Sequence, residues 1–194
     1  MADQESFLRR AVLLVALLNV LYFGIEFSVA VSIGSVSLFA DSIDFLEDAS
    51  VNLLIFFALA WTARMRSVVG MMLAAFLLVP GAATLWAAWQ KFAHPVPPDP
   101  FFLFLTGSGA LAVNLVCAFI LARFRTQGGG LARAAFLSAR NDAVANLAII
   151  LAALATVATD SPWPDLVAGA GIFLINLDAA HEVYGAARKE RSMA

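Results

Sequence analysis

Six stretches of about 20 mostly apolar residues follow one another along this chain, each long enough for a helix to cross the hydrocarbon core of a bilayer. They fall at 10–32, 36–62, 67–92, 101–122, 134–158 and 165–187. The expectation is an all-α, polytopic membrane protein: a single transmembrane domain over residues 1–194, with six transmembrane helices and no soluble domain. Composition agrees, with 62% hydrophobic residues, 13% charged residues and a mean hydropathy of +0.86. A soluble domain holds about 45–50% apolar and about 25% charged residues.

Punctuation between the stretches supports the division. "SIGS" (32–35) reads as a tight turn, "HPVPPDP" (94–100) cannot be helical throughout, and "TQGGG" (126–130) reads as a flexible break. "DSPWPD" (160–165) starts the last span and puts Trp163 at an interface. Pro80-Gly81 falls inside the third span, where a kink is expected. The first span follows "MADQESFLRR", but Glu26 interrupts its apolar run, so it reads as a retained helix and not a cleaved leader.

Basic residues orient the bundle. Arg9, Arg10, Arg64, Arg66, Arg123, Arg125, Arg133, Arg188, Lys189 and Arg191 collect on one side. The other side has only Lys91, and Arg140 lies within the fifth span. By the positive-inside rule both termini are cytoplasmic, and the plasma membrane is the expected location. The formal charge of −2 says little about partners, because many of the acids lie within the apolar spans, and nothing suggests a nucleic acid. Cys117 is the single cysteine, which excludes an intrachain disulfide and a multi-cysteine metal site; in its apolar run it reads as a packed thiol.

Against this background "ADSIDFLEDAS" (40–50) stands out, with Asp41, Asp44, Glu47 and Asp48 inside the second span. On a helix Asp41, Asp44 and Asp48 occupy i, i+3 and i+7 within a ~60° arc, Asn52 continues the line, and Glu47 sits at its edge. Intramembrane carboxylates face a protein-lined or water-filled interior and mark ion or proton pathways. The fifth span carries the only other strong cluster, "SARNDAVANLAIILAA", with Asp142 and Asn146 at i and i+4. Measured from the outer ends at ~1.5 Å per residue, Asp44 and Asp48 lie roughly 12 and 18 Å deep, Asn146 and Asp142 roughly 18 and 24 Å. The two pairs can therefore meet near mid-membrane.

Three carboxylates and an amide offer a cation an all-oxygen site. Carboxylates crowded into low dielectric repel one another, and either a proton or a divalent cation relieves that repulsion. Exchange of one for the other follows. Interhelical hydrogen bonding accounts well for a lone Asn19 or Asn114 but poorly for three aligned aspartates, since serine or asparagine would serve without the charge.

At these residues the sequence resembles the cation diffusion facilitator (cation efflux) family. Its members have six spans, cytoplasmic termini and a mid-membrane metal site built from two four-residue-spaced pairs, [His/Asp]-x-x-x-Asp, in spans two and five. "DFLED" (44–48), preceded by "GSVSLFADS" (34–42), matches the first pair, and "DAVAN" (142–146) stands where the second belongs. "NVLYFGIE", with Asn19 and Glu26, is similar to the family's first span. The resemblance implies Asp44, Asp48, Asp142 and Asn146 as metal ligands, with Asp41 and Glu26 as additional ligands or proton carriers. The transported divalent cation would be Zn, Co, Cd, Fe or Mn, with no cofactor. Two departures matter: Asn146 replaces the usual second aspartate, and no histidine appears in either pair. An all-oxygen set leans toward harder ions such as Mn²⁺. Many relatives carry a cytoplasmic C-terminal domain that binds metal and supports dimerisation, and this chain resembles a short form without it. A homodimer in membrane lipid remains an expectation.

Asp178, His181 and Glu182 share one face at the cytoplasmic end of the sixth span, as a cytoplasmic metal funnel or a solvated helix end. Glu26 faces inward, as a proton relay, a partner for Arg140 or an interhelical bond. Asp165 reads as an acid at a helix N-terminus, and His94 as an exposed loop residue.

The expected function is export of a divalent metal cation by proton antiport, through rocking of helices around a fixed midplane site. It is a secondary transporter and not an enzyme. Two other classes compete. Asp41, Asp44 and Asp48 also spell D-x-x-D-x-x-x-D, similar to the first Mg-binding motif of intramembrane prenyltransferases. Those enzymes need more spans, a second multi-aspartate motif and basic residues to grip a diphosphate. The other is a non-transporting accessory protein on the same scaffold.

Overall fold

Gly34 sits in the left-handed region at φ 62° and ends one helix just before the next begins. The Ser35 amide bonds back to the Ala30 carbonyl at 3.0 Å, closing the first helix. The structure, a computed structural model, describes residues 2–58, 82–124 and 129–175, together with residues 65 and 68. Its helices are α1 (Ala2–Ile33), α2 (Val36–Ala58), α3 (82–93), α4 (Pro100–Ala122), α5 (Gly129–Thr159) and α6 (Trp163–Ile175).

Local chemistry sets these ends. Asp99 caps α4, its Oδ1 accepting from the amides of Phe101 at 2.9 Å and Phe102 at 3.2 Å, while Pro100 takes the first helical position. Asp160, at φ 47°, adopts the left-handed conformation that a short polar side chain tolerates, and ends α5. α1 extends from Ala2 through the whole of the expected span at 10–32, since no glycine or proline interrupts "ADQESFLRR". Likewise Gly129 and Gly130 of "TQGGG" are already helical, so the expected break does not extend through them. The Pro80-Gly81 kink and the ends of the second and sixth expected spans lie outside the described residues.

Among the described residues, three helical segments, Ser6–Ile33, Pro100–Ala122 and Ala135–Thr159, are long and apolar enough to cross a membrane. α2 matches α4 in length but carries four acids. The most extensive packing pairs α1 with α2 and α4 with α5; α1–α4 and α2–α5 contacts join these hairpins into a four-helix square. The outer faces are apolar, with Leu14, Leu17, Leu21 and Ile25 exposed on α1 and Val144, Leu147, Leu151 and Leu154 on α5. That is the pattern of helices solvated by lipid, which are apolar all round except where they meet each other.

Inside the square the order is apolar, polar, apolar. One apolar layer joins Leu8, Val12 and Val15 of α1 to Ile55 of α2, Cys117 and Leu121 of α4, and Ala139 of α5. The other joins Ala30, Leu38, Ala40, Leu103, Ile149 and Ala153 to Ile172 of α6. Between them, on every helix of the square, lie buried polar side chains: Asn19 and Glu26, Asp41 through Asn52, Asn114, and Asn146. An apolar seal on both sides of a buried polar layer is what a midplane site requires.

Candidate metal centre

The i, i+3, i+7 spacing puts the three aspartates of α2 on its inward face. Asp41, Asp44 and Asp48 are 0%, 7% and 4% exposed, whereas Glu47, at the edge of that face, is half-buried. Asn52 extends the line one turn further, donating from Nδ2 to the Asp48 carbonyl at 2.8 Å. α5 runs antiparallel beside α2 and meets it at two levels. At one level the Ser138 hydroxyl donates to Asp48 Oδ1 at 2.8 Å, and Asp142 lies beside Asp48. At the other, nearer the start of α2, Asn146 Nδ2 donates to Asp41 Oδ2 at 2.5 Å.

The structure thus brings the α2 and α5 clusters together, in a register that sends the Asn146 amide to Asp41. Behind Asn146, Asn114 of α4 donates from Nδ2 to Asn146 Oδ1 at 3.0 Å. α1 closes the other side: Glu26 is fully buried and its side chain shares a hydrogen bond with that of Asp41. Asn19 accepts from the Cys117 thiol at 3.6 Å, consistent with interhelical bonding. Tyr22, on the same helix, donates to the Thr106 carbonyl at 2.6 Å and packs its ring on Phe45, tying α1 to α4 and α2.

Several expectations change. Arg140 is exposed and bonds Asn141 at 3.1 Å, so it does not partner Glu26. Asp165 does more than favour its own helix dipole: it reaches across to the start of α2. Asp178, His181 and Glu182 lie outside the described residues. Among the described residues no three His, Cys, Asp or Glu side chains converge closely enough to hold a metal ion between them. The acids instead stand in pairs, Glu26 with Asp41 and Asp48 with Asp142.

Ser138 is the contributor that the sequence reading passed over, while Asn114 makes the interhelical bond expected of it. Ser138 had a signal, since it sits one helical turn before Asp142 on the same face. Asn114 was visible only as an isolated amide in an apolar span.

Residues 12–188 match the family profile described as the cation efflux transmembrane domain. The match covers nearly all of the chain, which therefore belongs to the cation efflux family, a family of membrane transporters that move divalent metal cations. No curated protein matches it.

Proposed function

We propose that this protein exports a divalent metal cation from the cytoplasm in exchange for protons, through a site at mid-membrane between α2 and α5. Asp44, Asp48, Asp142 and Asn146 are the proposed ligands, with Asp41 and Glu26 as further ligands or proton carriers. The chain acts as one multi-pass transmembrane domain in the plasma membrane, both termini cytoplasmic, alone or as a homodimer. The cargo is Zn²⁺, Co²⁺, Cd²⁺, Fe²⁺ or Mn²⁺.

One observation carries the reading. Buried acids from two antiparallel helices face each other in a polar layer sealed by apolar layers on either side. Each carboxylate buried this way is costly unless a proton, a cation or a donor balances it. Ser138 and Asn146 supply donors to one oxygen each of Asp48 and Asp41. The remaining oxygens give an incoming cation replacements for its water ligands. Capture then draws the α2 and α5 acids closer than their resting pairs, and this movement couples binding to the rocking of the two hairpins.

The test is metal flux into proteoliposomes containing the purified protein and a luminal indicator. With the lumen more acidic than the bath, protons leaving through the protein drive metal inward, so uptake should rise with the gradient and collapse with a protonophore. Asp48→Ala should abolish it. Uptake that ignores the gradient would remove the antiport. No uptake of any of the five ions by folded protein would leave the accessory role.

A further inference from the structure

We propose that the basic end of the bundle carries a site for one anionic phospholipid, with its phosphate on Arg123 and an acyl chain in the cavity between the start of α1 and the end of α4. The inference does not depend on which ion the protein moves.

Membrane depth places the parts. At one end of the bundle Trp89, Phe92 and Trp163 form an exposed aromatic cluster, with successive ring centroids 6.2 and 6.0 Å apart. Such rings sit at a membrane–water interface. α4 starts at that end, with residues 94–99 alone separating it from α3. Its 23 residues span ~35 Å, against ~30 Å of hydrocarbon. Arg123, which ends α4, therefore lies at the level of the phosphates in the opposite leaflet. Phe119 and Ile120, about one turn earlier, lie at the level of the first acyl carbons. The start of α1 reaches the same level, since Leu8 shares an apolar layer with Leu121 and Phe124.

A cavity of about 620 Å³ opens there, lined by Phe7 of α1 and by Phe119, Ile120, Ala122, Arg123 and Phe124. Ligand sites run to about 300–1,000 Å³. Five of its lining residues are apolar and the sixth is a guanidinium. Phe119 is 84% exposed and Phe7 60%, so the wall faces lipid and not the core. Among the described residues no carboxylate pairs with Arg123; the ion pair among them joins Lys91 to Asp165. A phospholipid supplies both halves, since its phosphate oxygens accept from the planar guanidinium and its chain covers the aromatic wall. A free phosphate would leave that wall bare, and a zwitterionic headgroup would bring a second cation toward Arg123. Charge complementarity thus selects an anionic headgroup. The neighbouring arginines are placed differently: the Arg9 guanidinium stands 4.8 Å from the centroid of the Phe56 ring, and Arg10 is exposed without lining the cavity.

Native mass spectrometry of the full chain released from detergent tests this, with phosphatidylglycerol or phosphatidylcholine of the same acyl chains added. The first phosphatidylglycerol should bind at least about fivefold more tightly than the first phosphatidylcholine, the contribution of one basic residue at an anionic lipid surface. Arg123→Gln should bring the two lipids to within about twofold, and Arg123→Met takes its place should that variant not fold. Arg10→Gln removes the same charge from the same end of the bundle and should leave the preference intact. Phe119→Ala should weaken both lipids by about threefold or more and keep their ratio. Glycerol phosphate in millimolar excess should displace neither lipid; displacement would mean a site for the headgroup alone and overturn the assignment. Equal binding of the two lipids by the wild-type chain overturns it too. So does a loss in Arg10→Gln equal to that in Arg123→Gln, which would mean that the summed charge of that end attracts anionic lipid without a site.

Discussion

The Asp165 carboxylate, in the first turn of α6, accepts from Ser37 at the start of α2, taking its hydroxyl at 2.6 Å and its amide at 3.2 Å on one oxygen. Ser35 Oγ bonds that same oxygen at 2.6 Å, and the Val36 amide bonds the other at 2.9 Å. An acid from one helix thus serves as the N-cap of another. Lys91 of α3 completes the joint, 3.9 Å from Asp165 and donating to the Gly34 carbonyl at 2.6 Å. The N-terminal end of α2 is thereby fixed to α3 and α6, and its acids follow from that joint along the buried face.

Asp165→Ala should destabilise the fold by about 3 kcal/mol, because it strips the first amides of α2 and leaves the buried Lys91 head without its counter-charge. Asp165→Asn, whose carbonyl oxygen still accepts, should cost less than half of that. Equilibrium unfolding in mixed micelles measures both. Equal losses for the two would mean that charge, and not acceptor geometry, holds the joint.

The same joint makes Gly169 sensitive. A Cβ there would lie 2.8 Å from the Ser37 amide nitrogen and 2.8 Å from the Val36 carbonyl carbon, backbone atoms that cannot swing aside. At Gly107 the closest atom is Ile149 Cγ2, also at 2.8 Å, but a side chain can yield by changing rotamer. Gly171 meets nothing within 4 Å. Alanine should therefore cost about 2–3 kcal/mol at Gly169, less at Gly107, and almost nothing at Gly171. Thermal unfolding of the three variants side by side checks the order.

What the sequence made legible follows from which interactions are local. The apolar stretches and the i, i+3, i+7 acids of α2 need only helix geometry, and the structure buries those acids inward. Asp165 capping α2 was beyond reach, since its partners are 128–130 residues away and any serine or amide would read the same. The pairing of Asn146 with Asp41 shifts by a helical turn from a depth estimate made between uncertain span ends. Which end of the Asn146 amide faces the acids depends on Asn114, on a third helix, and no spacing within α2 or α5 carries that information.

Among the described residues Ser138 donates to Asp48 and to no other acid, so it should act by orienting that carboxylate. Ser138→Ala is expected to raise the metal concentration for half-maximal flux by about tenfold with little change in the maximal rate. Ser138→Thr, which keeps the hydroxyl, should restore the affinity. A drop in maximal rate at unchanged half-saturation would instead place Ser138 in the conformational step.

Glu26 sets stability against function. Its carboxyl is fully buried against that of Asp41, and the two share a hydrogen bond that needs a proton on one of them. A native fold tolerates such a pair where function requires it. Glutamine at 26 has the same shape and can donate its amide N–H to Asp41 without a bound proton to make that hydrogen bond. Glu26→Gln should therefore raise the unfolding midpoint, by about 1 kcal/mol of added stability, while reducing proton-driven metal flux at least tenfold. Folding stability and transport must move in opposite directions for this account to hold. A variant that loses both would show that the Glu26 carboxylate supports the packing of α1 against α2, and one that keeps full flux would remove Glu26 from the transport path.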